Sequence, residues 1–120
     1  MKCVIYYEEN FVSFFLTKDD DDEIIGVANL EFETSNSLYC SRIKILEDFR
    51  GNGYSKILLQ NLKEYAMEND LGIYLHISTH GLVLQVLEKL YKSYGFQLQV
   101  DGSWLLDFRK EAQCGVINTS

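Results

Sequence analysis

Apolar and polar positions alternate along the first 46 residues, and then the spacing becomes helical. Lys2-Cys3-Val4-Ile5-Tyr6-Tyr7 is rich in β-branched and aromatic residues and reads as a strand. Glu8-Glu9-Asn10 breaks it, and Phe11 to Leu16 reads as a second strand. Asp19-Asp20-Asp21-Asp22-Glu23 cannot pack and is expected as a solvated turn, with a third strand over Ile24 to Phe32. Thr34-Ser35-Asn36-Ser37 is a turn, and Leu38 to Leu46 is the fourth strand. Leu58, Leu59, Leu62, Tyr65 and Ala66 then recur at i, i+1, i+4, i+7 and i+8. That spacing is one apolar stripe on a helix, which starts near Tyr54 or Ser55. Gly72 suits the stop of this helix. Ile73 to Ile77 is a short apolar strand of the kind buried at a sheet centre. Val83, Leu87, Leu90, Tyr91 and Tyr94 mark a second helix closed by Gly95. Phe96 to Val100 alternates as a strand, Asp101-Gly102 signals a hairpin, and Trp104 to Phe108 returns.

The order β-β-β-β-α-β-α-β-β predicts a mixed α/β domain over residues 1–110, with a polar tail at 111–120. A right-handed crossover makes the fourth and fifth strands a central parallel pair, and the rest of the sheet is mostly antiparallel. The length of 120 residues fits one domain. With 47% hydrophobic and 24% charged residues, the chain has the composition of a packed domain rather than a disordered one. No apolar run reaches the ~20 residues that span a bilayer, and the N-terminal residues do not read as a secretory signal, so no membrane partner is expected.

Charge narrows the ligand class. The net charge is −7, unlike that of proteins that neutralise many phosphates, so nucleic acid is not expected as a partner. Residues 42–63 nevertheless hold five basic residues against two acidic ones, a local +3 on a body of −10. A small positive island of this kind suits a small anion. Cys3 and Cys40 read as buried small hydrophobes, and Cys114 lies in the polar tail. The odd number and the spacing fit neither a disulfide framework nor a zinc site, so a reducing, cytoplasmic location and no metal are expected.

The densest chemistry lies in Ile43-Lys44-Ile45-Leu46-Glu47-Asp48-Phe49-Arg50-Gly51-Asn52-Gly53-Tyr54-Ser55. A strand runs into a Gly-containing loop and then directly into a helix. Gly51 and Gly53 let backbone N–H groups close around an anion, and the helix start adds four unpaired donors and a positive dipole end. Arg50 and Lys56 supply formal charge. The spacing fits neither a Walker A loop nor a dinucleotide fingerprint. On spacing alone two readings stand: a pyrophosphate site, or a β-to-α turn that uses glycine for geometry.

Arg50-Gly51-Asn52-Gly53-Tyr54-Ser55 resembles the Arg/Gln-x-x-Gly-x-Gly/Ala motif of the GNAT superfamily of N-acetyltransferases. Leu90-Tyr91-Lys92-Ser93-Tyr94-Gly95-Phe96 is similar to the Tyr-x-x-x-Gly-Phe ending of that family's last helix. The two blocks stand in the family's order and separation, and the resemblance covers residues 24–108. It implies acetyl-CoA as cosubstrate, bound where the fourth and fifth strands splay apart. It places the pyrophosphate on the amides of Arg50, Gly51, Asn52, Gly53, Tyr54 and Ser55, and the pantetheine arm beside the backbone of Ile43 and Ile45. It makes Tyr91 the general acid toward the CoA thiolate, with direct transfer to an amine. As pure pattern, Tyr91 reads as a core tyrosine.

Three departures from the family stand out. Ser55 replaces Gly or Ala. Leu84 and Leu87 replace a frequent Asn and Ala. The two helices that usually follow the first strand have no room in residues 8–11. The last departure implies an open acceptor surface, suited to a protein or peptide amine, or one completed by a second subunit as a homodimer. A base must take the proton of the attacking amine, and the candidates are Glu33, Glu31, His76 or water. Glu33 is preferred, against the plainer reading of a solvated strand-end carboxylate. His76 otherwise reads as a core histidine and His80 as a loop residue. The expected function is transfer of acetyl to a primary amine; the alternative is a CoA-binding or protein-interaction module without turnover.

Overall fold

The computed structural model describes residues 1–20, 23–77 and 84–109. The strand-like stretches form β1 (Lys2–Tyr7), β2 (Phe11–Thr17), β3 (Ile24–Thr34) and β4 (Ser37–Ile45), each antiparallel to the next. Glu8, Glu9 and Asn10 join β1 to β2, and Glu8 and Phe11 exchange backbone bonds of 2.9 and 3.3 Å. The connection is a tight hairpin, so no helix follows β1. α1 (Tyr54–Asn69), β5 (Gly72–Leu75), α2 (Leu84–Ser93), β6 (Gln97–Leu98) and β7 (Trp104–Asp107) complete the chain. The seven strands lie in the order β1-β2-β3-β4-β5-β7-β6, and β4 and β5 are the parallel pair. The expected fold class is therefore observed.

One face of the sheet carries Val12, Phe14, Ala28, Leu30, Leu38, Cys40, Ile73 and Leu75, all buried. Leu58, Leu59 and Leu62 of α1 and Tyr91 of α2 close over them in one core. The Tyr94 hydroxyl donates to the Lys56 carbonyl at 3.1 Å and ties α2 to the first turn of α1. Burial of the α1 stripe supplies much of the cohesion, because each buried aliphatic side chain is worth about 1.5–3 kcal/mol. Leu62 is fully enclosed. Leu62→Ala is expected to cost about 2–5 kcal/mol, read as a lower midpoint in urea unfolding at unchanged slope. An unchanged midpoint would mean that α1 does not close the core.

β4 carries one extra residue. Leu30 pairs with Cys40 and Asn29 with Arg42, which leaves Ser41 in a bulge. The insertion inverts the alternation. Leu38 and Cys40 face the core before it, whereas Ile43 and Ile45 pack on the core after it and Arg42 and Lys44 are exposed.

Some boundaries differ from the sequence expectation. Gly72 does not stop α1, because it is already in β5. The left-handed stop is Asp70 (φ 55°), a residue type that tolerates this region, and the Leu71 amide bonds back to the Ala66 carbonyl at 2.9 Å. β5 ends at Leu75, so His76 and Ile77 follow the strand. Gly95 (φ 98°) does close α2. Asp101-Gly102 makes its hairpin with Gly102 at φ 90° after a turn from Gln99 to Gly102, so β6 is only two residues long. Val83, His80, Asp21, Asp22, Cys114 and the tail 111–120 lie outside the described residues.

Candidate active site

The parallel register runs from Ser37↔Gly72 to Cys40↔Leu75 and stops. β4 continues for five more residues, paired only with β3 among the described residues. The two central strands thus part at Cys40 and Leu75. The free edge of Ser41–Ile45 presents backbone donors and acceptors to whatever lies in the fork.

The same strand delivers the chain to the glycine loop. A 3-10 turn over Glu47–Phe49 leads to Arg50, and Gly51 (φ 84°) and Gly53 (φ 77°) take left-handed conformations that side chains resist. A Cβ at either glycine would meet nothing within 4 Å, so backbone conformation rather than space calls for glycine. The loop is braced from within: Arg50 Nε donates to the Ile45 carbonyl at 3.0 Å, and Asn52 Nδ2 to the Phe49 carbonyl at 3.2 Å. Gly53 caps α1 and offers no side-chain bond to its first amides. The loop therefore sets open N–H donors and a helix dipole beside the fork.

Tyr91 and Cys40 meet beneath the fork. Tyr91 is 7% exposed, and its ring stands edge-on to Phe96 at 5.5 Å. Burial, with the nearby Cys40 thiol adding to it, pushes the Tyr91 phenol up to about 12. Burial also pushes the Cys40 thiol up to about 12. Both groups keep their protons near neutrality, so Tyr91 can donate one and Cys40 is a poor nucleophile.

The opposite sheet face has no helix over it among the described residues. An open cleft of about 640 Å³ runs along it from Glu33 and Asn36 past Tyr39 and Tyr74 to His76 and Asp101. Tyr39 and Tyr74 are register partners and form its floor. His76 is exposed rather than buried in the core, one residue past the point where the strands part. Tyr39 Oη and His76 Nδ1 lie 3.2 Å apart in a hydrogen bond. Glu33 is exposed at the other end, two to three residues from the fork, or roughly 8 Å at ~3.3 Å per residue. Arg109 lies over Gly72, where a Cβ would come within 2.9 Å of Nε. Its guanidinium grips Asp107 at 2.8 and 2.9 Å, which holds the Asp107 carboxyl below the usual range. Leu84, at the start of α2, is 47% exposed, and Trp104 is buried in the core. Tyr39, Asp101 and Arg109 were not among the sequence candidates. Gly72 was the available signal for Arg109, since a strand glycine marks a close approach.

These elements define a mixed α/β fold with a forked parallel pair and an anion-ready loop at one strand end. The family model described as the acetyltransferase (GNAT) family matches residues 2–96, and the chain belongs to that family. Acetyl-CoA is accordingly its cosubstrate, and N-acetyl transfer is its reaction class. Among solved structures it is similar to the ribosomal-protein-S18-alanine N-acetyltransferase of Escherichia coli, with TM-score 0.70, 17% identity, and 86% and 72% of the two chains covered. It also matches the spermidine N-acetyltransferase of Vibrio cholerae in complex with CoA and spermine, with TM-score 0.67, 18% identity and 83% and 67% coverage. A third match is a GNAT family acetyltransferase of Elizabethkingia anophelis with acetyl-CoA bound, with TM-score 0.63, 19% identity and 75% and 56% coverage. A search of curated proteins found no match. No group of three or more His, Cys, Asp or Glu that could hold a metal occurs among the described residues, and no helix there is long and apolar enough to cross a membrane.

Proposed function

We propose that this chain moves acetyl from acetyl-CoA to a primary amine of a protein or peptide by direct attack, with residues 1–110 acting as one catalytic domain. The observation that carries the reading is the fork at Cys40 and Leu75 with the glycine loop at its rim. Gly51, Asn52, Gly53, Tyr54 and Ser55 take the pyrophosphate on backbone amides, whereas the Arg50 amide is held by the Glu47 carbonyl at 3.3 Å and Arg50 contributes its charge. The backbone of Ile43 and Ile45 on the free β4 edge pairs with the pantetheine arm. Free strand amides face the thioester carbonyl as it gains charge. Tyr91 protonates the departing thiolate. The raised Cys40 thiol supports transfer without an acyl-enzyme intermediate. Glu33, at its distance from the fork, can act as base only through water.

The acceptor enters from the open outer face, and that openness favours a protein or peptide amine. The free thiols of Cys3 and Cys40 suit a reducing cytoplasm. The open edge of β1 is where a second copy would pair. A second reading, a CoA-binding or protein-interaction module without turnover, draws on Leu84 and Leu87 at the helix that flanks the fork.

The test is calorimetric titration with acetyl-CoA, followed by thiol release over a panel of amines. Peptides with free N-termini, lysine peptides and spermine form the panel, since the Vibrio neighbour is bound to spermine. Micromolar binding and amine-dependent thiol release are expected. Binding without release from any amine would favour a CoA-binding module, and no binding would overturn transfer and leave a module that works through protein contacts.

A further inference from the structure

We infer that His76 is the base that takes the proton of the attacking amine, with Tyr39 and Asp101 as its positioning residues. This rests on the transfer reading above and deepens it. Three observations converge. His76 stands one residue past the last pair of the parallel strands, at the mouth of the fork where the thioester carbonyl would lie. It is exposed on the outer face, from which an acceptor arrives and to which a proton can leave. Its ring is held, because Nδ1 shares a 3.2 Å hydrogen bond with Tyr39 Oη and the two rings lie 5.9 Å apart.

The sheet dictates this pairing. Tyr39 is on β4 and Tyr74 on β5, as register partners on the outer face, and His76 follows Tyr74 by two residues. Side chains two apart on extended chain share a face, so His76 comes to the side of Tyr39. Asp101, from the β6–β7 hairpin, completes the setting. Its carboxylate accepts bonds from the Ser103 hydroxyl and amide at 2.6 and 2.9 Å, which hold it below the usual range, and it feels the charge of His76. An imidazolium at His76 therefore faces a fixed negative charge. The other titratable and charged groups of this face near it are Glu31 across Tyr39, Glu33, Tyr74, Asp107 and Arg109, with Arg42 and Lys44 of β4 beyond the fork. Arg109 is engaged with Asp107.

The tautomer follows from the role. Nδ1–H donates to Tyr39 Oη, and Nε2 keeps its lone pair toward the fork. Neutral Nε2 takes one proton from the acceptor ammonium and leaves a free amine. The amine lone pair forms the C–N bond at the thioester carbonyl carbon, and the C–S bond breaks with its electron pair on sulfur. Tyr91 gives its phenol proton to that sulfur, and the second amine proton restores Tyr91. The imidazolium then releases its proton to water. The products are the amide, CoA thiol and one proton.

Two measurements test this. The first needs no acceptor: nitrogen-15 NMR of the histidine ring, assigned with His80→Gln, should show the Nδ1–H tautomer at His76 and its loss in Tyr39→Phe. A stable Nε2–H tautomer would overturn the inference. The second uses the best amine from the thiol-release panel. His76→Gln should lower kcat about a hundredfold with acetyl-CoA affinity unchanged. It should also abolish the acidic limb of the kcat/KM profile, which in the wild type falls at the pKa that NMR gives for His76. Asp101→Asn should shift that limb to lower pH. An acidic limb that survives in His76→Gln would overturn the base assignment and leave the transfer reading intact. Failure of every amine to release thiol would instead strike the transfer reading, while the NMR arm still reports on the tautomer.

Discussion

Gly53→Glu is expected to abolish acetyl-CoA binding in calorimetry, a loss of more than a hundredfold. Two effects add. A non-glycine residue at φ 77° costs roughly 1–2 kcal/mol in left-handed strain. The new carboxylate would then stand at the helix start where the pyrophosphate is proposed to lie. Like charges about 4 Å apart repel by about 4 kcal/mol at the effective dielectric of a protein surface. Gly53→Ala separates the two terms, since it keeps the strain and adds no charge; about tenfold weaker binding is expected. Nothing lies within 4 Å of a Cβ there, so neither variant should unfold the protein, and far-UV circular dichroism should stay unchanged. Full affinity in Gly53→Glu would reduce the loop to a turn.

Tyr91→Phe is expected to lower kcat by at least a hundredfold while acetyl-CoA affinity holds. The substitution deletes one oxygen and keeps the ring against Phe96. No hydrogen-bond partner of the hydroxyl occurs among the described residues, so none is orphaned. The pH dependence has a definite sign. A phenol raised to about 12 stays protonated through pH 7–10, so its role as acid should impose no alkaline fall in that range. Unchanged turnover in the variant would make Tyr91 a core residue and send the thiolate to water for its proton.

The elements were legible because their periods differ. Alternation over Phe11 to Leu16 and the Leu58–Ala66 stripe need no tertiary information. The fork was reached only through the family resemblance, since where two parallel strands part depends on contacts between distant segments. The Ser41 bulge left a readable trace: Leu38 and Cys40 fall on one phase, Ile43 and Ile45 on the other. That shift marks one inserted residue. The helix stop was misplaced at Gly72 because composition alone does not distinguish a glycine used for left-handed backbone from one used for room. Here Arg109 lies on Gly72, and Asp70 takes the left-handed turn. His76 was read as a core side chain because its strand text is apolar, yet the strand ends one residue earlier and the ring reaches solvent. Glu33 and His76 are both base candidates in one dimension, and the β3–β4 and β4–β5 registers set them at different distances from the fork.

The tight β1–β2 hairpin has a consequence for water. A transferase must keep a reactive thioester from hydrolysis, and enzymes commonly do so by closing over the substrate. With three residues between β1 and β2, no element among the described residues closes over the outer sheet face. On the proposed reading, a large partner seated on Tyr39 and Tyr74 would be its own lid, whereas a small amine would leave the fork wet. Selectivity for size would then arise from what the fold omits, with no side chain assigned to measure it.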